Sequence, residues 1–125
     1  MNQPNLEAEL DRLGELRHVG HALAEFAVSL LGSGFKRQGQ RWVMRGQNWV
    51  DLQIHYKRAT NIVFGLYGNA IRHGLKTHPK LDIRWIRNSR IEFIVRSRDD
   101  LDGAAFYLRQ AAELRLRSGL PTIGD

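Results

Sequence analysis

The sequence contains no cysteine. This absence excludes disulfide bridges, thiol nucleophiles and thiolate metal sites. Long apolar runs are also missing, because the longest one, residues 26–31, is far shorter than the roughly 20 residues of a membrane-spanning helix. The first residues lack the basic start and apolar stretch of an export signal. We therefore expect a cytoplasmic protein that has no membrane partner and depends on packing for its stability.

The length and the apolar content suit a single domain. The chain has 125 residues, of which 42% are hydrophobic. This is enough to fill one core. We therefore expect residues 1–125 to form one domain.

Positive charge is concentrated in the middle of the chain. The formal net charge is +6 at pH 7. Residues 35–98 contain ten arginines and four lysines against three acidic residues, whereas both terminal segments are mildly acidic. Such a segment attracts anions such as nucleic acid or an acidic protein. The alternative interpretation is an ordinary arginine-rich solvated surface.

Helical patterns lie at both ends. Apolar residues recur every three or four positions between Leu6 and Leu30, which is typical of an amphipathic helix. We expect a break near Gly14, a main helix over residues 15–31 and a stop at residues 32–34, where glycine ends the helix.

A second helix is predicted over residues 99–117. Ser97 or Asp99 can cap its start, and Gly119 and Pro121 end it. The apolar stripe expected to face the sheet is Leu101, Ala105, Leu108, Ala112 and Leu116.

The region between the helices shows the two-residue period of strands. A first strand begins at Arg41, and the second alternates apolar and polar residues over positions 50–56. Three more are predicted over residues 61–67, 82–87 and 91–97, with a loop over residues 68–81. The fold class is therefore α+β: an N-terminal helix, an antiparallel meander of about five strands, and a C-terminal helix packed on one sheet face.

Four short segments carry a family resemblance. They are Leu-Gly-Ser-Gly-Phe-Lys-Arg-Gln-Gly at 31–39, the strand at 50–56, Asp-Ile-Arg-Trp-Ile-Arg at 82–87, and Ser-Gly-Leu-Pro at 118–121. In this order they resemble an uncharacterised family, the domain of unknown function numbered 4304. The resemblance spans nearly the whole chain and implies a shared fold, but it implies no activity. The chain departs from that family in having Ile91-Glu92-Phe93 where paired tryptophans are expected.

No arrangement of residues predicts catalysis. His18 and His21 could share a metal on one helix, but no second ligand pair is evident, so we predict neither a metal site nor a cofactor. The glycines at 32 and 34 precede a strand, whereas phosphate-binding loops lead into a helix. A catalytic pair assembled from separated residues, such as Asp51 and His55, stays open.

The candidate binding site is the sheet face that the helices leave open. A two- or four-residue turn around Gly46 and Gln47 would pair Met44 with Trp49, which places the tryptophans opposite the longer apolar series that begins at Val50. On this register the candidate residues of the open face are Trp42, Met44, Trp49, His55, Lys57, Arg84 and Arg96.

Large aromatics beside basic residues predict binding without catalysis. We expect a protein-interaction or homodimerising module, whose partner is another protein or a second copy of the chain. The alternative is a non-catalytic binder of nucleic acid or another polyanion, in which bases stack on the aromatic rings. A further alternative is a second small core, in which a loop or the C-terminal tail covers the tryptophans.

Overall fold

The computed structural model describes residues 5–87 and 89–117. Within these ranges the helices are α1 (Leu6–Leu10), a 3₁₀ helix (Asp11–Leu16), α2 (Arg17–Leu31), α3 (Asn69–Gly74), a 3₁₀ turn (Arg98–Asp100) and α4 (Leu101–Arg117). The strands are β1 (Phe35–Gln38), β2 (Arg41–Met44), β3 (Val50–His55), β4 (Asn61–Tyr67), β5 (Arg84–Trp85) and β6 (Arg90–Val95).

The N-terminal helices begin and end at local sequence signals. The side chain of Asn5 accepts hydrogen bonds from the N–H groups of Glu7 and Ala8 and so caps α1. Gly14, with φ of 60°, separates the 3₁₀ helix into two parts, and Gly32, with φ of 73°, ends α2 in the left-handed conformation. The predicted break and stop are both confirmed.

The strands form one antiparallel sheet in the order β1-β2-β3-β4-β6-β5. The α+β fold class is confirmed, with six strands in the described part of the chain instead of five. The additional strand is β1, three of whose four residues are exposed. It has little apolar alternation for a sequence pattern to detect.

The predicted loop at residues 68–81 contains a helix. This helix is α3, and its Ile71 is fully buried. The expectation of a structureless connection there is therefore wrong.

The turn between β2 and β3 fixes which residues face the helices. Trp42 pairs with Leu52 and Val43 with Asp51, so residues 45–49 form a five-residue connection. Gln47 is buried in this connection and donates from Nε2 to the carbonyl of Leu31 at the end of α2, at 2.7 Å. The predicted even-numbered turn is wrong by one residue, and a one-residue shift moves β2 to the other face of the sheet.

The C-terminal helix packs on the sheet, although its buried stripe differs from the prediction. Ser97, one of the two predicted caps, forms a capping box with Asp100 at the 3₁₀ turn that leads into α4: the carboxylate of Asp100 accepts from the N–H of Ser97 at 3.3 Å. Leu108 is fully buried as predicted, whereas Leu116 is 73% exposed. The most deeply buried residues of α4 are Ala104, Tyr107, Leu108 and Ala111. The predicted stop residues, Gly119 and Pro121, lie outside the described residues.

The core lies between the helices and one face of the sheet. It joins inward residues of the strands to residues of α1, α2 and α4. The rings of Phe64 and Phe93 stack at 5.1 Å, and Phe93 contacts Tyr107 of α4 at the same centroid distance. Among residues 5–87 and 89–117, no helix is both long and apolar enough to cross a membrane.

Candidate functional site

The aromatic residues predicted for the open face lie in the core instead. Trp42 and Trp49 are each 3% exposed and Met44 is fully buried. Trp42 shares its face with Leu52, its directly opposite partner, and both join the core cluster. Trp49 belongs to the turn and packs under Arg115 of α4, whose guanidinium lies 5.3 Å from the ring centroid. The assignment of these three residues to an open interface is wrong, because the turn has an odd number of residues.

The four polar residues of the predicted site are exposed but do not form one group. His55 ends β3 and Lys57 follows it, while Arg96 lies just beyond the end of β6. Arg84 is on the last strand of the sheet and donates to Glu92 at 2.7 Å. The open face therefore has basic residues, as expected, without the predicted tryptophans beside them.

A row of alternating charges crosses this open face. We call it the charge row, and its members are Arg41 of β2, Asp51 of β3, Arg90 and Glu92 of β6, and Arg84 of β5. Asp51 is buried and accepts two hydrogen bonds from Arg90, at 2.9 and 3.2 Å. This bidentate ion pair is buried in an environment of low dielectric constant, where either charge would be strongly destabilising without the other.

Arg90 reaches Asp51 by crossing β4 at Gly65. A Cβ at Gly65 would overlap the Arg90 guanidinium, so only glycine leaves room for it. The guanidinium also lies 4.7 Å from the centroid of the Tyr67 ring. Burial acts to lower the pKa of Arg90, but the hydrogen bonds and charge of Asp51 outweigh burial, and the pKa is raised above the ordinary arginine value.

The charge row is buried in its middle and exposed at its ends. The Arg41 side chain is 42% exposed and donates to the Tyr67 hydroxyl at 3.0 Å, while its distance to Asp51 is 3.8 Å. The Arg84 side chain at the other end is 58% exposed. With three arginines and two carboxylates, the row carries a formal charge of +1. Its exposed ends are therefore both cationic.

The terminal strand next to this row exposes large apolar side chains. We call residues 84–87 the β5 edge. Trp85 is 53% exposed and Ile86 is 42% exposed, and they lie between Arg84 and Arg87, which are also exposed. Trp85 pairs with Ile91 and so takes the helix side of the sheet, whereas Arg84 pairs with Glu92 and takes the open side. Ile86 lies against Arg90 and so takes the open side with Arg84, while Arg87 lies in the turn that follows.

The backbone of the β5 edge is oriented for further pairing. Ile86 donates its N–H to the carbonyl of Arg90 in β6, at 2.8 Å. Because alternate residues of an antiparallel strand point their hydrogen-bonding groups in opposite directions, the N–H and C=O of Trp85 point away from β6. Since β5 is the last strand of the sheet, these groups lie at its outer edge.

Basic residues also surround the β5 edge. Residues 72–87 contain five exposed basic side chains and a single acidic one, Asp82. The basic set is Arg72, Lys76, Lys80, Arg84 and Arg87. This part of the surface therefore favours acidic partners.

Sequence reasoning missed both main features of the site. Asp51 and Arg90 are 39 positions apart, and only the strand order brings them together. Trp85 lies in a predicted strand, but its exposure depends on that strand being terminal. The sequence feature that could have indicated this site is the placement of Trp85 and Ile86 between two arginines.

The described residues do not form a metal site or the suggested catalytic pair. No group of three or more histidine or acidic residues within 5–87 and 89–117 is placed to hold a metal ion. His21 instead lies 2.7 Å from the carboxylate of Asp11. Asp51 is fully engaged by Arg90, so it is not placed to orient the exposed His55 for catalysis.

Comparisons with known proteins were made for the whole chain. No family model, no curated protein and no solved structure matches it. The resemblance to the domain of unknown function numbered 4304 therefore stays a prediction.

Proposed function

We propose that the protein is a non-catalytic protein-interaction module that binds its partner at the β5 edge. The observation that carries this proposal is the exposure of Trp85 and Ile86 on the terminal strand of the sheet. The two side chains lie on opposite sides of one exposed sheet edge, so a single partner strand added to this edge would cover both of them. Burying a tryptophan at an interface contributes about 2 kcal/mol or more to binding.

The form of the edge supports strand addition as the mode of binding. A partner strand that pairs with β5 would satisfy the outward N–H and C=O of Trp85 and would cover side chains on both sides of the sheet. The partner is another protein or a second copy of the chain, because both can supply such a strand.

Polyanion binding is the second candidate function. It is supported by the exposed ends of the charge row, Arg41 and Arg84, and by the basic residues around the β5 edge. The stacking surface that Trp42 and Trp49 were expected to provide for it does not exist, because both rings are buried. We therefore rank it below protein interaction.

A peptide selection tests the proposed function without assuming a partner. Peptides from a random-sequence display library are selected on the full chain, and the enriched peptides are titrated against a variant with Trp85→Ser and Ile86→Ser. We expect roughly 30-fold weaker binding to this variant, which corresponds to the loss of about 2 kcal/mol. Leu116→Ser is the matched control, because it removes exposed apolar surface elsewhere.

Two results would contradict the proposal. One is binding that is equally strong in the double variant and in the Leu116→Ser control. The other is the absence of any enriched peptide together with a monomer in sedimentation velocity at every concentration.

A further inference from the structure

The charges of the β5 edge identify the kind of partner, provided that the proposed function is correct. Arg84 and Arg87 flank the apolar pair in the sequence. Arg84 lies on the open side of the sheet, and Arg87 begins the turn to β6, where its carbonyl accepts from the N–H of Arg90 at 3.3 Å. A strand paired with this edge would place one of its residues opposite Arg84 and would end close to Arg87. Directly opposite residues of paired strands interact, and like charges at such positions are destabilising.

A second copy of the chain does not fit this pattern. Antiparallel pairing of two β5 edges through the outward groups of Trp85 would place Trp85 opposite Trp85 and would bring the basic 72–87 segments of the two copies together. The other edge of the sheet, β1, is also basic, since it contains Lys36 and Arg37. Pairing between β5 and β1 of another copy would again bring positive charges together. Both edges therefore disfavour self-association through the sheet.

We propose that the β5 edge binds an extended acidic segment of another protein. The segment has two adjacent apolar residues that lie along Trp85 and Ile86, with a carboxylate at each end for Arg84 and Arg87. This arrangement gives an apolar contact on each side of the sheet and an ion pair at each end of the apolar pair. The five exposed basic residues of the 72–87 segment attract the same partner over a longer range.

A peptide suits this edge better than a nucleic acid does. The outward backbone groups of Trp85 need a partner with alternating N–H and C=O groups, which a peptide supplies. A peptide gains from both apolar side chains and from the ladder in addition to the charge, whereas a nucleic acid gains from the charge and from stacking on Trp85.

Three synthetic peptides test the proposal. They contain two central valines flanked by glutamates, by lysines or by serines, and are otherwise identical. Each is titrated into the full chain by calorimetry at physiological salt. We expect the glutamate peptide to bind at least fivefold more tightly than the serine peptide, because it adds an ion pair at each end of the apolar pair. The lysine peptide should be the weakest.

A charge exchange makes the assignment specific. In an Arg87→Glu variant the preference for glutamate over lysine should fall at least fivefold. Arg17→Glu is the control, because it makes the same charge change on α2, and it should leave the preference unchanged. The Trp85→Ser variant should weaken all three peptides.

The outcomes separate this inference from the proposed function. Equal binding of all three peptides, abolished in Trp85→Ser, would overturn the acidic partner while leaving strand addition at this edge in place. A Trp85-dependent dimer in sedimentation velocity would overturn it in favour of a second copy. Displacement of the glutamate peptide by a single-stranded oligonucleotide, with affinity falling steeply as salt rises, would overturn it in favour of a polyanion. No binding by any peptide or copy would overturn both proposals.

Discussion

At the scale of single residues, the structure depends on a buried ion pair that needs a glycine beside it. Asp51 and Arg90 are 3% and 5% exposed, and each would be costly to bury alone. Gly65 permits their contact because it has no side chain where the guanidinium crosses β4. The identity of position 65 is thus set by a pair of residues on neighbouring strands.

We expect Gly65→Ala to destabilise the fold by about 2–4 kcal/mol, because the displaced guanidinium leaves the Asp51 carboxylate buried without its partner. Urea denaturation measures the change. Gly34→Ala is the matched control, since a Cβ at Gly34 meets no atom within 4 Å, and it should change stability by less than about 0.5 kcal/mol. Equal effects of the two substitutions would contradict the role given to Gly65.

The buried hydroxyl of Tyr107 makes the stability of the fold depend on pH in the alkaline range. Its hydroxyl donates to the carbonyl of Leu81 and accepts from the N–H of His78 at 2.8 Å. Burial raises the pKa of Tyr107, the charge of Asp82 adds to this, and the hydrogen bond from His78 opposes it. The pKa of Tyr107 is higher in the folded protein than in the unfolded chain. The stabilisation that its neutral hydroxyl gives to the fold is therefore fully present below about pH 10, and it is lost as the pH rises through the folded-state pKa.

We expect Tyr107→Phe to cost about 1–2 kcal/mol at pH 8, since it removes a donor and an acceptor from buried backbone groups. The stability difference between the wild type and this variant should shrink above about pH 10. Denaturation curves recorded from pH 8 to pH 11 check this. A difference that stays constant over the whole range would show that the hydroxyl does not titrate with folding.

At the scale of secondary-structure elements, the sequence predicted those features that have local causes. The ends of α2 and the cap of α4 follow from Gly32 and Ser97, which act on their own neighbours. The register of β2 was not predictable in the same way. It depends on Gln47, which is buried against the end of α2 at a carbonyl 16 residues earlier. A single contact between distant residues leaves no periodic pattern in the sequence from which it could be predicted.

The burial of α4 gives a direct test of how the helix packs. We expect Leu108→Asp to abolish cooperative unfolding, because the side chain is fully buried and an unpaired charge there is strongly destabilising. Leu116→Asp introduces the same charge on the same helix at a 73% exposed position, and it should melt near the wild type. Thermal melting followed by circular dichroism separates the two. A cooperative, native-like transition in Leu108→Asp would refute the orientation of α4.

At the scale of the whole molecule, the charge distribution was visible in the sequence, whereas the site was not. The excess of basic residues between positions 35 and 98 is a matter of composition. The location of the exposed aromatic residue required the strand order, because Trp85 is exposed only as part of the terminal strand. Trp42 and Trp49 look equally suitable in the sequence, and the structure buries both.

The basic surface gives a prediction for polyanions as well. We expect a single-stranded oligonucleotide to bind weakly, with a Kd of about 1–100 μM at physiological salt, because the charge attracts it while Trp85 is the single exposed tryptophan on which a base could stack. Replacing Arg84 and Arg96 with glutamate should reduce the slope of log affinity against log salt by roughly 0.7 for each phosphate that the variant no longer neutralises. Fluorescence anisotropy over a salt series measures both. An unchanged slope would place the phosphate-binding residues elsewhere on the chain.

Amide hydrogen exchange at Trp85 is the decisive measurement for the proposed interaction, since strand addition must pair the backbone of this residue. The exchange rates of the full chain are compared by NMR in the free state and with saturating glutamate-flanked peptide. Strand addition predicts that the Trp85 N–H exchanges at least about tenfold more slowly in the complex, as expected for an amide that joins a ladder. Saturated binding that leaves the Trp85 N–H unchanged, with protection appearing at β1 or on the helices instead, would contradict strand addition at the β5 edge.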